Sequence, residues 1–510
     1  MDYDVVVAGG GPVGLLLGCE LRRAGVRVLV ADRLLEPAGH DRAGVLHTRT
    51  VEYLDTRGLL DRFSEGMSTV TGLPFAGMFG RGLDHGLLDT RHRYSLLVPQ
   101  SRTEEILAEH ATELDVPIHR GREVTAVRQD DDGVDVRLAG PEGERTVRAA
   151  YLVGCDGGRS TVRRLAGIGF PGHGARVSAL IGYVTTTEKD VPRRWQRTPH
   201  GIVVLAFPPE GGVGRVVVVE YDRPHPSPAR PVTLDELSAG VRRVYGRELD
   251  LREPVLWMSR FSDATRQAET YRQGRMFLAG DAAHVHFPIG GQGLNTGFHD
   301  AMNLGWKLAA QVAGWAPPGL LDTYHEERHR AGRRMLQLTR AQLALMNPDE
   351  QHVTALRELF EELLALPDTN RLLTAALNGL DLRYGAEKDG TEEGGADDVH
   401  PLLGLFAPDL DLEVDGAPTR TAELLRSGRG LLLDLTAHGG PARTAAPWAD
   451  RVDGVAARPA GPDPAPAAAL LVRPDGHVAW VAGDTRPDGR APEDGLTEAL
   501  TRWFGPKDWR

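Results

Sequence analysis

Three features of the 510-residue sequence predict an α/β fold with a Rossmann-like first domain, an inserted, mostly antiparallel sheet and a smaller C-terminal α/β domain. The chain opens on a βαβ unit about thirty residues long, built around Gly9-Gly10-Gly11-Pro12-Val13-Gly14. Apolar runs at 202–207 and 216–221 are separated by PPEGGVG, the pattern of antiparallel strands joined by a turn. After a strand at 275–279 the chain returns to long helical periodicity, and strands resume near 431. The corresponding boundaries are 1–175 and 276–390 for the two parts of the first domain, 176–275 for the inserted sheet and 396–510 for the last domain.

In chain order, 3–8 (YDVVVA) reads as a buried strand, 12–24 as a helix carrying Val13, Leu15, Leu16, Leu17 and Leu21, and 26–32 as the next strand. Helices follow at 47–58 and 101–114. Strands 122–128 and 133–138 flank a DDDG turn and form a hairpin, and a strand at 150–155 leads into CDGGRS. Helical patterns run to about 346 and again over 350–378. The 385–399 stretch has no apolar anchor and reads as a linker. Strands at 431–435 and within 469–483, the latter turning at a PDG, build the last domain, with 459–468 as a loop.

The net charge of −12 is modest, and the basic residues are scattered, which argues against a nucleic-acid surface. No apolar run reaches the ~18–20 residues of a membrane span. The opening MDYDVVVAG is a strand rather than a basic segment followed by an apolar one, so no signal peptide and a cytoplasmic setting are expected. Cys19 and Cys155 cannot make a disulfide framework and read as small core residues.

The first glycine motif has the context that a GxGxxG string needs: a strand before it, a helix after it, and Asp32 at the end of the second strand. Gly9 permits the tight turn, Gly11 lets a pyrophosphate approach the backbone, and Gly14 lets helix and strand pack closely. The helix N-terminus, with Pro12 and Val13 in its first turn, offers unpaired N–H groups to the phosphates. Asp32 would accept from ribose hydroxyls and repel a 2′-phosphate, so the bound group is FAD or NAD. The string from Gly167 to Gly172 also fits GxGxxG, but it follows a helix and contains Pro171, so it reads as a helix terminator and loop. A second signal is the strand ending in Gly280-Asp281, followed after Pro288 by Gly290, Gly291, Gly293, Leu294 and Asn295 at the start of a helix. His284 and His286 lack a third ligand at matching spacing, so no metal is expected. The third segment, 151–160, is a strand, a turn at Asp156-Gly157 and a helix start capped by Ser160 or Thr161.

In this order and spacing, the three segments resemble the single-component, FAD-dependent aromatic hydroxylases of the p-hydroxybenzoate hydroxylase-like class, over most of residues 1–346. The phrase HVHFPIGGQGLNTGFHDAMNLGWKLAA is most similar to bacterial hydroxylases of aromatic polyketides and to rifampicin monooxygenases. The resemblance implies non-covalent FAD, with the first motif, Asp32 and Arg33 on its ADP part. Asp156 and Gly157 would serve both FAD and a transient NADPH or NADH, and Gly280 and Asp281 the ribityl chain. It places Arg42 (in HDRAG) and Gln100 (in LLVPQSR) beside the dinucleotide motif and Val124 at the adenine, and it makes Arg42 the candidate functional side chain at the flavin. The helix start at 290–295 would face the flavin N1–C2 edge and stabilise the anionic reduced ring. The C-terminal domain resembles the thioredoxin-like domain of these enzymes but carries no CxxC.

The implied activity is hydroxylation of a polycyclic aromatic polyketide of the anthracycline, angucycline or tetracycline type. NAD(P)H reduces the flavin, oxygen adds at C4a to give a hydroperoxide, and its distal oxygen passes to an electron-rich ring carbon. Baeyer–Villiger-type oxygenation and antibiotic inactivation on the same fold stay open. A flavin halogenase is disfavoured because no Trp-x-Trp-x-Ile-Pro segment occurs, and a flavin carrier would not need the 290–295 segment. The expected partners are the aromatic substrate and O2, with the chain a monomer or homodimer. Phe207, Tyr221, Trp257 and Phe261 are candidate pocket residues whose inward face the alternation leaves open, and Arg260 and Arg266 read equally as ion pairs or site residues.

Overall fold

The computed structural model describes residues 1–39, 41–192, 194–221, 230–348, 351–385, 400–436, 439–461, 465–483 and 493–509. The opening βαβ unit forms as strand Tyr3–Ala8, helix Pro12–Arg23 and strand Val28–Asp32. Pro12 stands where a helix needs no N–H, and Arg22 and Arg23 occupy the last turn, where cations complement the carbonyl end. Val5, Val6, Val7, Leu29 and Val30 are fully buried, as parallel strands covered on both faces must be.

The main sheet runs Arg272–Gln273, Met276–Leu278, Gly143–Gly154, Tyr3–Ala8, Val28–Asp32, Ile118–Arg120. Its central strands are parallel, with Ala8 beside Gly154 and Gly154 beside Leu278. That register delivers Gly9, Cys155 and Ala279 side by side at the carboxyl edge, where open α/β sheets bind ligands. The strand expected at 150–155 is the end of a longer one, Gly143–Gly154, whose exposed first residues pair with Val134–Gly140. Val134–Gly140 closes the expected hairpin with Glu123–Gln129.

The inserted sheet has five antiparallel strands in the order Arg194–Thr198, Gly201–Ala206, Gly212–Glu220, Ser178–Thr186, Leu251–Ser262. A helix that the strand-dominated reading omitted, Leu234–Tyr245, covers one face; its Thr233 cap accepts from the Glu236 N–H at 3.2 Å and it ends at left-handed Gly246. Leu180, Val203, Leu205, Val216 and Val218 pack under that helix, while Ala179, Ile181, Ile202, Val217 and Val219 face the other way. A hairpin, Gly72–Phe75 with Met78–Asp84, and a two-stranded pair, Ser68–Val70 with Ser95–Leu97, fill a stretch where no element was expected. Phe75, Ala76, Met78 and Leu83 of the first belong to the same apolar cluster as the inward face of the sheet.

Four long helices follow: Gln292–Ala313, Asp322–Met346, Gln351–Leu364 and Pro367–Asn378. Gln292–Ala313 crosses Pro12–Arg23 on glycines. A Cβ on Gly297 would lie 2.5 Å from Val13 Cγ2, and one on Gly305 2.9 Å from Glu20 Cβ. The C-terminal sheet runs Val452–Ala456, Gly430–Asp434, Ala469–Val472, Val478–Ala482, the first pair parallel and the others antiparallel, with helices Gly440–Ala445 and Leu496–Phe504 beside it. This is the thioredoxin-like arrangement. Arg57 fastens it to the first domain, donating to both Glu20 carboxylate oxygens at 2.9 Å and to the Pro474 carbonyl at 2.8 Å. Residues 386–399 of the expected linker, and 462–464 of the expected loop, lie outside the described residues. No described helix is long and apolar enough to cross a membrane.

Candidate active site

At the first motif, Gly9 has φ +112°, and a side chain there would run into the Cys155 carbonyl; one on Gly14 would run into the Gly9 carbonyl. Only glycine allows strand, turn and helix to meet so closely. Gly11 is the N-cap and makes no side-chain bond, and a Cβ on it would meet nothing within 4 Å. The first-turn N–H groups, including those of Val13 and Gly14, therefore stand beside open space, the arrangement that binds anions. Asp32 is buried and oriented by two backbone N–H donors, Gly10 to Oδ2 at 2.5 Å and Leu34 to Oδ1 at 2.7 Å. Arg33 is exposed.

Gln100 joins this end through its amide, which accepts from the Ala43 N–H at 3.3 Å and donates to Glu104 at 2.8 Å. Asp41 accepts from the Ser101 N–H and hydroxyl at 2.9 and 2.7 Å, so residues 41–43 lie along the start of helix Gln100–Glu113. Burial pushes the Glu104 carboxyl up; Gln100 and Arg120 pull it down, and the Asp32 and Asp41 charges add to the rise. Val124 is buried in its strand at a register break before Ala126.

At the middle of the edge, Asp156 splits its carboxylate. Oδ2 accepts from the Thr161 and Val162 N–H groups at 2.6 and 3.1 Å, while Oδ1 is buried without a partner among the described residues. Ser160 is the N-cap of Thr161–Leu165, accepting from Arg163 N–H at 2.9 Å. Gly157 has φ +79° and open space about it. Arg163, which the sequence reading passed over, ties two motifs together by donating to the Ala282 and Gly158 carbonyls at 2.8 and 3.0 Å. Burial pushes the Cys155 thiol well up and that of Cys19 up to about 12, which keeps both as thiols at neutral pH, Cys19 within the core and Cys155 packed against it. Gly167, with φ +68°, ends the short helix, as a terminator should.

At the far end, Gly280 has φ +62°, and its N–H donates to Asp300 Oδ2 at 2.9 Å. Asp281 stands exposed in a cleft whose walls crowd it and raise its carboxyl above the usual range, with His284 and Arg42 pulling it back. Arg42 is exposed, and its charge reaches Asp281. Pro288 is exposed, and Gly290 and Gly291 have φ near +66° and +67°, which turns the chain into helix Gln292–Ala313. Gly293 and Leu294 lie in its first turn, whose N–H groups are free of intrahelical partners. The Asn295 side chain is bonded within the protein: Oδ1 accepts from His47 N–H at 2.8 Å, and Nδ2 donates to the Val45 and Gly291 carbonyls at 3.0 and 2.7 Å. His47 donates from Nε2 to the Gly290 carbonyl at 2.7 Å, and burial lowers its pKa to about 4. His286 donates to the Phe287 carbonyl at 2.6 Å and is also held near 4 by burial, so both imidazoles are neutral at pH 7. His284 donates to Asp300 at 2.8 Å, and no metal-holding group of side chains occurs among the described residues.

The sheet candidates divide by face. Tyr221, Trp257 and Phe261 belong to the inward cluster, with Phe261 and Phe287 rings 5.4 Å apart and Tyr183 and Trp257 5.8 Å apart. Phe207 lies on the other face, under helix Leu234–Tyr245, and cannot line the cleft. Arg260 pairs with Glu236 at 2.8 Å and Arg266 donates to the Phe170 carbonyl at 3.0 Å, so both hold structure. Phe75 and Phe360, stacked 5.4 Å apart, complete an aromatic wall that the sequence reading missed.

One end of this edge offers helix N–H groups and the buried Asp32 carboxylate, the middle a buried carboxylate oxygen unpaired among the described residues, and the other end a second helix N-terminus beside an apolar, aromatic wall. That donor set fits flavin adenine dinucleotide. A family model described as "FAD binding domain" matches residues 2–339, and one described as "Aromatic-ring hydroxylase, C-terminal" matches 400–506. The chain is 46% identical to a 12-dehydrotetracycline 5-monooxygenase/anhydrotetracycline 6-monooxygenase of Streptomyces rimosus, over 99% of each. It is 45% identical to a rifampicin monooxygenase of Streptomyces venezuelae, again over 99% of each. The solved structure of an anhydrotetracycline hydroxylase from Streptomyces rimosus superposes with a TM-score of 0.90 at 46% identity, covering 99% of this chain and all of that one. The chain belongs to the FAD-dependent aromatic-ring hydroxylases, a family of monooxygenases that use NAD(P)H and O2.

Proposed function

We propose that this enzyme hydroxylates a polycyclic aromatic polyketide of the tetracycline, angucycline or anthracycline type. The observation that carries the reading is the aromatic inward wall of Trp257, Phe261 and Phe287 beside the helix start at 290–295, a place for a flat substrate against a flat cofactor. Bound FAD supplies hydride acceptance from NAD(P)H and activation of O2. On this reading Gly9, Gly11, Pro12, Val13 and Gly14 receive the diphosphate, Asp32 and Arg33 the ribose, and Gln100 and Val124 the adenosine side. Asp156 and Gly157 take the middle of the cofactor through the free Oδ1, and Gly280 and Asp281 its ribityl oxygens. The N–H groups at 290–295 stabilise negative charge on the ring. Arg42 is positioned to balance Asp281 and to screen the open side of the cleft. The aromatic wall orients the acceptor carbon and keeps water away. On the same reading the domain boundaries lie near 175, 275 and 390, and the enzyme works as a monomer or homodimer in the cytoplasm.

NADPH oxidation screened over tetracyclic and smaller phenols, with product mass, tests this. A gain of one oxygen with intact rings and tight coupling is expected. Ring opening would favour the Baeyer–Villiger or antibiotic-inactivating reading, for which the similarity to a rifampicin monooxygenase speaks. Protein that releases no flavin on denaturation would sink both.

A further inference from the structure

Two clusters of buried charge sit on one face of helix Gln292–Ala313, at Asp300, Asn303 and Lys307, spaced three and four apart. In the first, Asp300 accepts from Gly280 N–H, from His284 and, at 2.7 Å, from Arg328 Nε. Arg328 continues to the Tyr384 hydroxyl at 2.7 Å and the Thr296 carbonyl at 3.2 Å. In the second, Lys307 donates to Asn303 at 2.8 Å and Glu327 at 2.7 Å, and Arg473 donates to Glu327 at 2.6 and 2.9 Å and to Asp475. Asn303 closes the ring by donating to Glu327 at 2.7 Å and Asp475 at 3.1 Å. Lys307, Glu327, Arg473 and Asp475 are each no more than 6% exposed in their side chains, two cations against two anions. The clusters touch through Tyr384, whose ring lies 4.2 Å from that of His477 and 5.3 Å from the Arg473 guanidinium.

Two of the four charges of the second cluster, Arg473 and Asp475, come from the C-terminal domain, and the first cluster ends on the backbone of Gly280. We infer that the C-terminal domain is a positioning element for the flavin end of the site, with Arg473 and Asp475 as its positioning residues. The inference rests on the flavin reading above. Buried charges tolerate no loose partner, so the pairs fix the rotation and axial place of the helix. The rotation decides whether Asp300 meets the Gly280 N–H and where the first-turn N–H groups of the helix point. Because the domain lacks a CxxC, its part in the enzyme is mechanical rather than redox.

The test uses the full-length holoenzyme and follows flavin release by recovery of free-flavin fluorescence, together with the visible absorption of the bound flavin. Arg473→Met is expected to release flavin at least tenfold faster and to shift the absorption band; Arg473→Lys recovers part of both. Arg420→Met removes a different fastening of the same domain, the Asp55 pair, and should leave release within twofold. Arg473→Met behaving like the unaltered enzyme, or Arg420→Met behaving like Arg473→Met, overturns the inference. Should Arg473→Met not fold, Tyr384→Phe, which removes one hydroxyl, is expected to speed release about threefold, and an unchanged rate overturns the inference equally. An unaltered chain without flavin marks failure of the flavin reading instead.

Discussion

At the scale of single residues, what holds the site open is a set of groups whose chemistry is fixed before any ligand arrives. Asp32 is aligned by the Gly10 and Leu34 N–H groups, and Asp156 keeps one oxygen for its own helix and leaves the other unpaired. His47 shows how such fixing makes stability depend on pH. Its folded pKa of about 4 lies below the 6.5 of the unfolded chain, so the unfolded state binds the extra proton first. The stability due to neutral His47 is present above pH 6.5 and is lost as pH falls toward 4, which amounts to about 2 kcal/mol between pH 7 and 5. Urea unfolding at those two pH values should show this loss, and His47→Gln, which keeps a donor for the Gly290 carbonyl, should lack that share of it. A slope unchanged in the variant would assign the dependence to other groups. The glycines and Asp32 were legible in the sequence because their roles follow from local backbone geometry. His47, Arg163 and Asp300 were not, since the first two reach across more than a hundred residues and Asp300 bonds to a loop and a helix other than its own, contacts that periodicity does not connect. The one usable sign was an acid, Asp300, inside the apolar stretch of its helix.

At the scale of elements, the inserted sheet sorts its side chains by face, and the sorting separates stability from substrate binding. Phe207 is packed under helix Leu234–Tyr245, so Phe207→Ala should cost about 3 kcal/mol of stability and leave the KM of the aromatic substrate unchanged. Trp257, on the inward face, should do the reverse in kind: Trp257→Ala is expected to raise that KM about tenfold and to raise the share of NADPH consumed without product. Equal KM values for the two variants would put the substrate elsewhere. Strand alternation was readable from 202 to 221, but its sign was not, because both faces of this sheet are buried and apolar. Knowing which face looks inward required the helix on one side and the Gly72–Asp84 hairpin on the other, and the hairpin's short strands carry too little pattern to be seen.

At the scale of the whole molecule, buried and half-buried hydrogen bonds and ion pairs join the C-terminal domain to the first. Arg57 reaches from Glu20 to the Pro474 carbonyl, Arg420 reaches Asp55, and Arg473 reaches Glu327. Separating the domains would expose these groups together, so calorimetry should record a single unfolding transition; two resolved transitions would show that the C-terminal sheet melts independently. The order of domains could be read from the sequence, while the joints could not, since the partners Glu20, Asp55 and Glu327 look like ordinary surface charges of helices until the other domain is laid over them.

The partnership of Lys307 and Glu327 with Arg473 and Asp475 also bears on how the chain is made. A ribosome that has released the first domain still holds the segment that brings Arg473 and Asp475, so in the nascent protein Lys307 and Glu327 have only each other and Asn303. On the positioning role inferred above, the flavin end of the cleft would settle only near the end of translation, and a chain cut short before residue 473 would be left without a settled place for the ring.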